Sequence, residues 1–210
     1  MNGSTAGRAR ATLYRLLAEF LAEPTEDLFR RLARGEAQAE LHQVLTALDL
    51  PQRPQMQVMA EVPDTPHALW QAHWDAFSRP VGPRVVPVES TYRRWSDEPG
   101  GNAPIAGSKG YLMSDHALHV QELYRLCGLQ VPAGYEAMPD HLTLELEFMA
   151  LLCEKGSPAD QLRFLQDHLD WLDGLAADAR AHGIPLFYRA IIDLAAAVVR
   201  RDADRLAAEG

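Results

Sequence analysis

Apolar residues recur at intervals of three and four along most of this chain, and that spacing commits it to helices packed on helices. Leu13, Leu16, Leu17, Phe20 and Leu21 share one face of a helix that ends at Pro24. Thr25 is placed to cap a short helix carrying Leu28, Phe29 and Leu32, closed near Gly35. Another short helix covers Leu41 to Leu48, and the stretch from Pro51 to Pro63 holds three prolines and reads as a connection. Asp64 or Thr65 caps the next helix, with Pro66 in its first turn and Leu69, Trp70, His73, Trp74 and Phe77 along its apolar face.

The pattern breaks from Pro80 to Lys109, where Pro80, Pro83, Pro87, Pro99 and Pro104 alternate with Gly82, Gly100, Gly101 and Gly107. Val85, Val86 and Val88 suit an extended piece, but no strand partner is evident. Connections of this length are commonly functional or hinge-like. Beyond it, helices are expected over Leu112 to Cys127, ended by Gly128, and Pro139 to Lys155, ended by Gly156. A third opens at Pro158 and runs through Phe164, Leu165, Leu169, Trp171 and Leu172. The last begins near Pro185 and passes Ile191, Leu194 and Val198 into a charged, frayed tail. The expectation is an all-α, single-domain helical bundle over residues 1–210: an N-terminal half over about 8–79, a hinge over 80–109 and a C-terminal half over 110–207. Such a hinge permits a domain-swapped dimer as well as a monomer.

Hydrophobic residues form 47% of the chain, enough to bury a core and to exclude wholesale disorder. Asp and Glu outnumber Lys and Arg by 29 to 20, for a formal net charge of −9. That balance argues against a nucleic-acid partner, which needs a basic patch, and is compatible with a basic partner or with simple solubility. Cys127 and Cys153 each fall in an apolar helical pattern and read as small core residues, which fits a reducing compartment. The apolar run from Leu13 to Leu21 is interrupted by Arg15 and Glu19, too short to span a bilayer and without a cleavage site after it. The protein is expected to stay in the cytoplasm, with no stable membrane insertion.

Three segments carry most of the information. In Met138-Pro139-Asp140-His141-Leu142, running on to Glu145, Phe148 and Met149, Asp140 is placed to cap a helix. Glu145 lies four residues beyond His141 and is positioned to fix the imidazole tautomer or raise its proton affinity. The helix is apolar on nearly all sides, so it belongs at the centre of the bundle, with its N-terminal end as a pocket floor. The plain alternative is an ordinary cap followed by a hydrogen-bonded histidine. The second segment, Phe164 to Leu172 followed by Pro185-Leu186-Phe187-Tyr188, spaces aromatics as a core would. The third, Glu89-Ser90-Thr91-Tyr92, lies within the proline-rich connection and by itself is a polar turn.

In this order and spacing the segments resemble the TorD family of redox-enzyme maturation chaperones, which includes the NarJ and DmsD groups. The resemblance rests on Pro139-Asp140-His141-Leu142 with Glu145-Leu146-Glu147-Phe148-Met149, then His168-Leu169-Asp170-Trp171 and Phe187-Tyr188. Trp74, Phe77 and Pro80, the Pro87-to-Tyr92 loop, and Leu123-Tyr124-Arg125 to Gly128-Leu129 fit it as well. It departs at Val88, where many members carry Trp, and at Ala137-Met138, where some carry Glu-Pro.

What the resemblance implies is a single all-α domain that binds the apo-form of a molybdenum or tungsten oxidoreductase catalytic subunit, its twin-arginine leader, or both. It would hold the client through cofactor insertion and control its release to the Tat translocase, with no cofactor of its own and no catalysis. Asp140 and His141 carry over as the client-binding pair, flanked by Trp70, Trp74 and Phe77, by Pro87, Glu89, Ser90 and Tyr92, and by Glu145. A leader with two guanidinium groups and an apolar run calls for carboxylates beside a hydrophobic groove.

Two rivals follow from the residues. A helical di-metal enzyme would need Glu-x-x-His pairs, and none of the eight histidines has one. His116 and His119 share a helix face and could take a metal with a third ligand, but a solvated helix surface is the simpler account of them. A helical scaffold with some other partner shares every compositional feature.

Overall fold

The computed structural model describes residues 3–50, 62–82, 84–96 and 106–209. Most of the connection expected from Pro51 to Pro63, and Pro83, Pro99, Gly100, Gly101 and Pro104 of the expected hinge, lie outside these residues. The helices run α1 Gly3–Leu21, α2 Glu26–Ala33, α3 Glu36–Ala47, α4 Pro66–His73, α5 Glu89–Tyr92 and α6 Asp115–Leu126. They continue as α7 Leu142–Lys155, α8 Pro158–His168, α9 Leu172–Ala181 and α10 Leu186–Glu209. Among the described residues there is no strand, and the all-α expectation holds. Val88 and His141 form an isolated antiparallel bridge, the one use made of the Val85–Val88 extended piece.

The chain's own punctuation sets these boundaries. The Thr25 hydroxyl accepts from Leu28 N at 3.1 Å, and the Thr65 hydroxyl from Ala68 N at 3.1 Å with Pro66 in the first turn. Ser157 and Asp160 exchange side-chain-to-backbone bonds in a capping box ahead of α8. Past α6, Gly128 takes a φ of 73°, a left-handed turn that a side chain would strain.

The centre is α7, whose residues are buried from Leu142 through Met149 save for exposed Glu147. It is packed along its length by α1, so closely that a Cβ on Gly7 would stand 3.0 Å from the Cys153 carbonyl. The core is continuous from Ala11 through Leu206, and α10 closes it by packing on α9, α8 and α1. At the end of α7 near Cys153, buried Arg10 and Asp202 pair at 2.6 Å. Arg10 also donates to Gln161 Oε1 at 2.7 Å, and the Tyr14 hydroxyl donates to Asp202 at 2.9 Å.

Four local expectations are corrected. The helix after Pro139 starts at Leu142 with His141 as its N-cap, because the Asp140 carboxylate is engaged elsewhere. The helix expected to run from Pro158 through Leu172 breaks between His168 and Leu172, where the Trp171 indole donates to the His168 carbonyl at 2.9 Å. The C-terminal segment is regular helix to Glu209, braced by pairs such as Arg205–Glu209 at 2.7 Å. Cys153 is buried, as expected, but Cys127 is exposed at the end of α6, outside the core.

Candidate functional site

The Pro87–Ser90 segment is stitched to the start of α7. Leu142 N donates to Pro87 O at 2.8 Å and Glu89 N to Asp140 O at 3.0 Å. The Asp140 carboxylate accepts from Ser90 N at 2.7 Å and from the Ser90 hydroxyl, and Ser90 Oγ meets Ser114 Oγ at 2.8 Å ahead of α6. One aspartate thus ties α5, α6 and α7 together. Its own pKa is raised, first by burial.

Asp140, Glu89, Ser90 and Glu145 are all fully buried, with no surface for a partner. The expected Asp140 cap is therefore a tertiary hub, and the expected His141–Glu145 pairing does not form. Glu145 turns instead to Trp171, whose Nε1 donates to it at 3.3 Å, and to Glu89. Burial, then the nearby carboxylates of Glu89 and Asp140, push the Glu145 carboxyl far above its ordinary range. Its protonated form is the one this surrounding favours.

His141 caps α7 through Nδ1, which accepts from Thr143 N at 3.3 Å. Its ring meets Tyr135 edge-on, and burial followed by neighbouring His73 lowers its pKa to about 4. Its proton affinity therefore falls rather than rises. His73 is lowered by burial as well, donates from Nε2 to Leu21 O at 3.3 Å, and lies edge-on to Phe77 and Tyr188. Pro87 is buried, Phe77 half-buried, and Tyr92 half-buried and stacked on Trp171 at 5.1 Å. Of the expected residues, Trp70 and Trp74 alone are exposed, each at 37%. Their rings stack at 5.6 Å, and Trp70 Nε1 donates to Glu23 Oε1 at 3.0 Å.

Behind the hub lies a histidine row that the sequence reading left out of the site. His168 Nδ1 meets Glu89 Oε2 at 2.9 Å, His168 Nε2 meets His119 Nδ1 at 2.8 Å, and His116 Nδ1 lies 3.6 Å from Glu89 Oε1. Arg93 Nε donates to the same Glu89 oxygen at 3.1 Å, and its guanidinium reaches Asp170 as well. The expected solvated face holds for exposed His119, but His116 is partly buried against Glu89. The three-residue spacing of His116 and His119 was visible; the convergence of α5 and α8 on them was not.

Beside α7, two grooves meet at Leu129, Phe148 and Leu151. One, of about 510 Å³, lies between α6, α7 and α8 and is lined by Leu123, Leu126, Leu152 and Phe164. The other, of about 500 Å³, is edged by Arg15, Glu19 and Glu147. Burial, then the charges of Glu147 and Glu23, raise the pKa of Tyr135.

The fold is that of a solved, proposed redox enzyme maturation protein from Archaeoglobus fulgidus: the two match with a TM-score of 0.50 and 22% identity over 94% of this chain and 93% of that one. The nitrate reductase delta subunit family matches residues 32–177, and the chain belongs to that family, one of redox-enzyme maturation chaperones rather than catalysts. Comparison with curated proteins finds no match. Among the described residues no helix is long and apolar enough to cross a membrane.

Proposed function

We infer that this chaperone holds the apo-form of a molybdenum or tungsten oxidoreductase by its twin-arginine leader, in the cytoplasm, until the cofactor is inserted and the client passes to the Tat translocase. The observation that carries the reading is the stacked, exposed Trp70–Trp74 pair beside exposed Glu23, on a molecule that also has an apolar groove past Leu144, Phe148 and Leu151 edged by Glu147. Guanidinium groups stack on indole faces and pair with carboxylates, and the groove suits the apolar run that follows them in a leader. Asp140, Glu89, Ser90 and Glu145 would act from beneath, by fixing the start of α7 rather than by touching the client. His141, next to Tyr135 and His73, would support the same surface. A free leader is flexible, so its ordering cost keeps affinity moderate, which suits a chaperone that must release its client.

A synthetic twin-arginine leader titrated into the protein tests this. Replacing its two arginines by alanine should weaken binding by more than about tenfold, the loss expected from two charge-assisted contacts. Glu23→Gln with Glu147→Gln should weaken the parent peptide similarly and leave the alanine peptide unchanged. Equal binding of both peptides would overturn leader recognition and leave the client body as the element held.

A further inference from the structure

We propose that Glu89, His116 and His168 form a binding site for a single divalent transition-metal ion of the zinc class, which clamps the connection ahead of α6 onto the C-terminal helices. One ligand atom from each of the three lies within 4.8 Å of the others. Donors around a tetrahedral zinc ion stand about 3.3 Å apart, so the set must close by roughly 1.5 Å at most. His116 is the partly exposed member of the three, at 3.6 Å from Glu89 Oε1. Two imidazoles and one carboxylate select zinc and its neighbours over magnesium or calcium, which prefer all-oxygen shells.

The surroundings are built for such an ion. Glu89 is 0% and His168 1% exposed at the side chain, so neither needs rescue from flexible solvent-exposed rotamers before it can ligate. Bound His ligands commonly hand their second nitrogen to an outer partner that fixes the ring. His168 has that partner already, with Nε2 held 2.8 Å from His119 Nδ1 while Nδ1 faces Glu89. Glu89 has one too, in Arg93 at 3.1 Å.

Charge points the same way. Glu89 is fully buried beside the carboxyl groups of Asp140 and Glu145, whereas its partner Arg93 is shared with Asp170 and compensates it only in part. A divalent cation supplies the missing positive charge where the carboxylates crowd. The role is structural: the ligands come from α5, α6 and α8, far apart in the chain, and one ion joining them closes two long loops. The site does not depend on the leader-binding surface, so either can fail without the other.

The test uses the full chain, stripped with a chelator and titrated with Zn²⁺, with Mg²⁺ as the comparison. One Zn²⁺ per chain should bind, and at a hundredfold excess over Kd the unfolding midpoint should rise by about 5–10 °C. His116→Ala should abolish that rise and lower affinity by at least about a hundredfold, the upper range for losing a metal-shell residue. His182→Ala and Cys127→Ser, which alter an exposed histidine and the exposed thiol, should bind as the parent does. Nitrogen-15 spectra of the unaltered protein give a second reading that needs no variant: Zn²⁺ should shift the ring nitrogens of His116 and His168. Shifts confined to other histidines, full affinity in His116→Ala, or loss of binding in Cys127→Ser would each overturn the site.

Discussion

Two polar clusters lie buried at the two ends of α7, and they solve the problem of buried charge differently. Near Cys153, Asp202 pairs with buried Arg10 and, at 3.3 Å, with partly exposed Arg205, while Gln161 and the Tyr14 hydroxyl take further bonds. Near Asp140, three buried carboxyl groups face one shared arginine and a row of histidines. A carboxylate whose charge is matched by arginines works as a pin between α1 and α10. An unbalanced cluster must hold protons or recruit a cation, and the raised pKa of Glu145 points to the first of these outcomes. One end of the molecule is thus built to stay fixed, and the other to respond to what surrounds it.

The balanced end should break hardest. Asp202→Ala leaves Arg10 buried without its partner and should cost about 3–5 kcal/mol in urea unfolding. Arg10→Met combined with Asp202→Leu should recover much of that loss, because apolar replacements remove both desolvation costs together. If the double variant is as unstable as the single one, the pair is not the pin described. At the unbalanced end, Asp140→Ala removes the bonds to Ser90 and should cost about 1.5–3 kcal/mol, the range for hydrogen bonds to a charged group. Once folded, the variant should bind the leader peptide as tightly as the parent, since Asp140 is buried. A binding loss well beyond the stability loss would move Asp140 back into the client contact.

The difference between the two ends also explains what the sequence could and could not disclose. Helix starts at Thr25, Thr65 and Pro158 were legible because capping is local chemistry between residues a few positions apart. The centrality of α7 was legible from apolar residues on nearly all its sides. The same local logic misled at Asp140: an aspartate ahead of an apolar helix is a cap unless a distant segment claims its carboxylate, and Ser90, fifty residues away, does so. Glu145 was read along the face it shares with His141, yet its partners arrive from α5 and from Trp171. Helical spacing was enough to put Trp70 and Trp74 on one face, whereas the histidine row needed three helices to converge before it existed. The family resemblance, by contrast, survived these errors because it depended on order and spacing rather than on what each side chain touches.

Glu145→Gln is the mildest perturbation and separates the two ends most cleanly. Glutamine copies the shape of the protonated acid and can still accept from Trp171. In the parent, folding keeps a proton on Glu145 that the unfolded chain releases above the ordinary carboxyl pKa of 4.5. The unfolded state then binds fewer protons, so this residue's contribution to stability falls as pH rises from that point. The variant carries no such proton and should be nearly as stable as the parent at pH 4.5 and increasingly more stable toward neutrality, read as a widening gap in urea midpoints. Asp202→Asn, at the other end, should lose stability at neutral pH instead, because there the carboxylate is wanted in its charged form beside Arg10. A gap that stays constant with pH in Glu145→Gln would mean that Glu145 is ionised in the fold, and the unbalanced end would then already hold a counter-charge of its own.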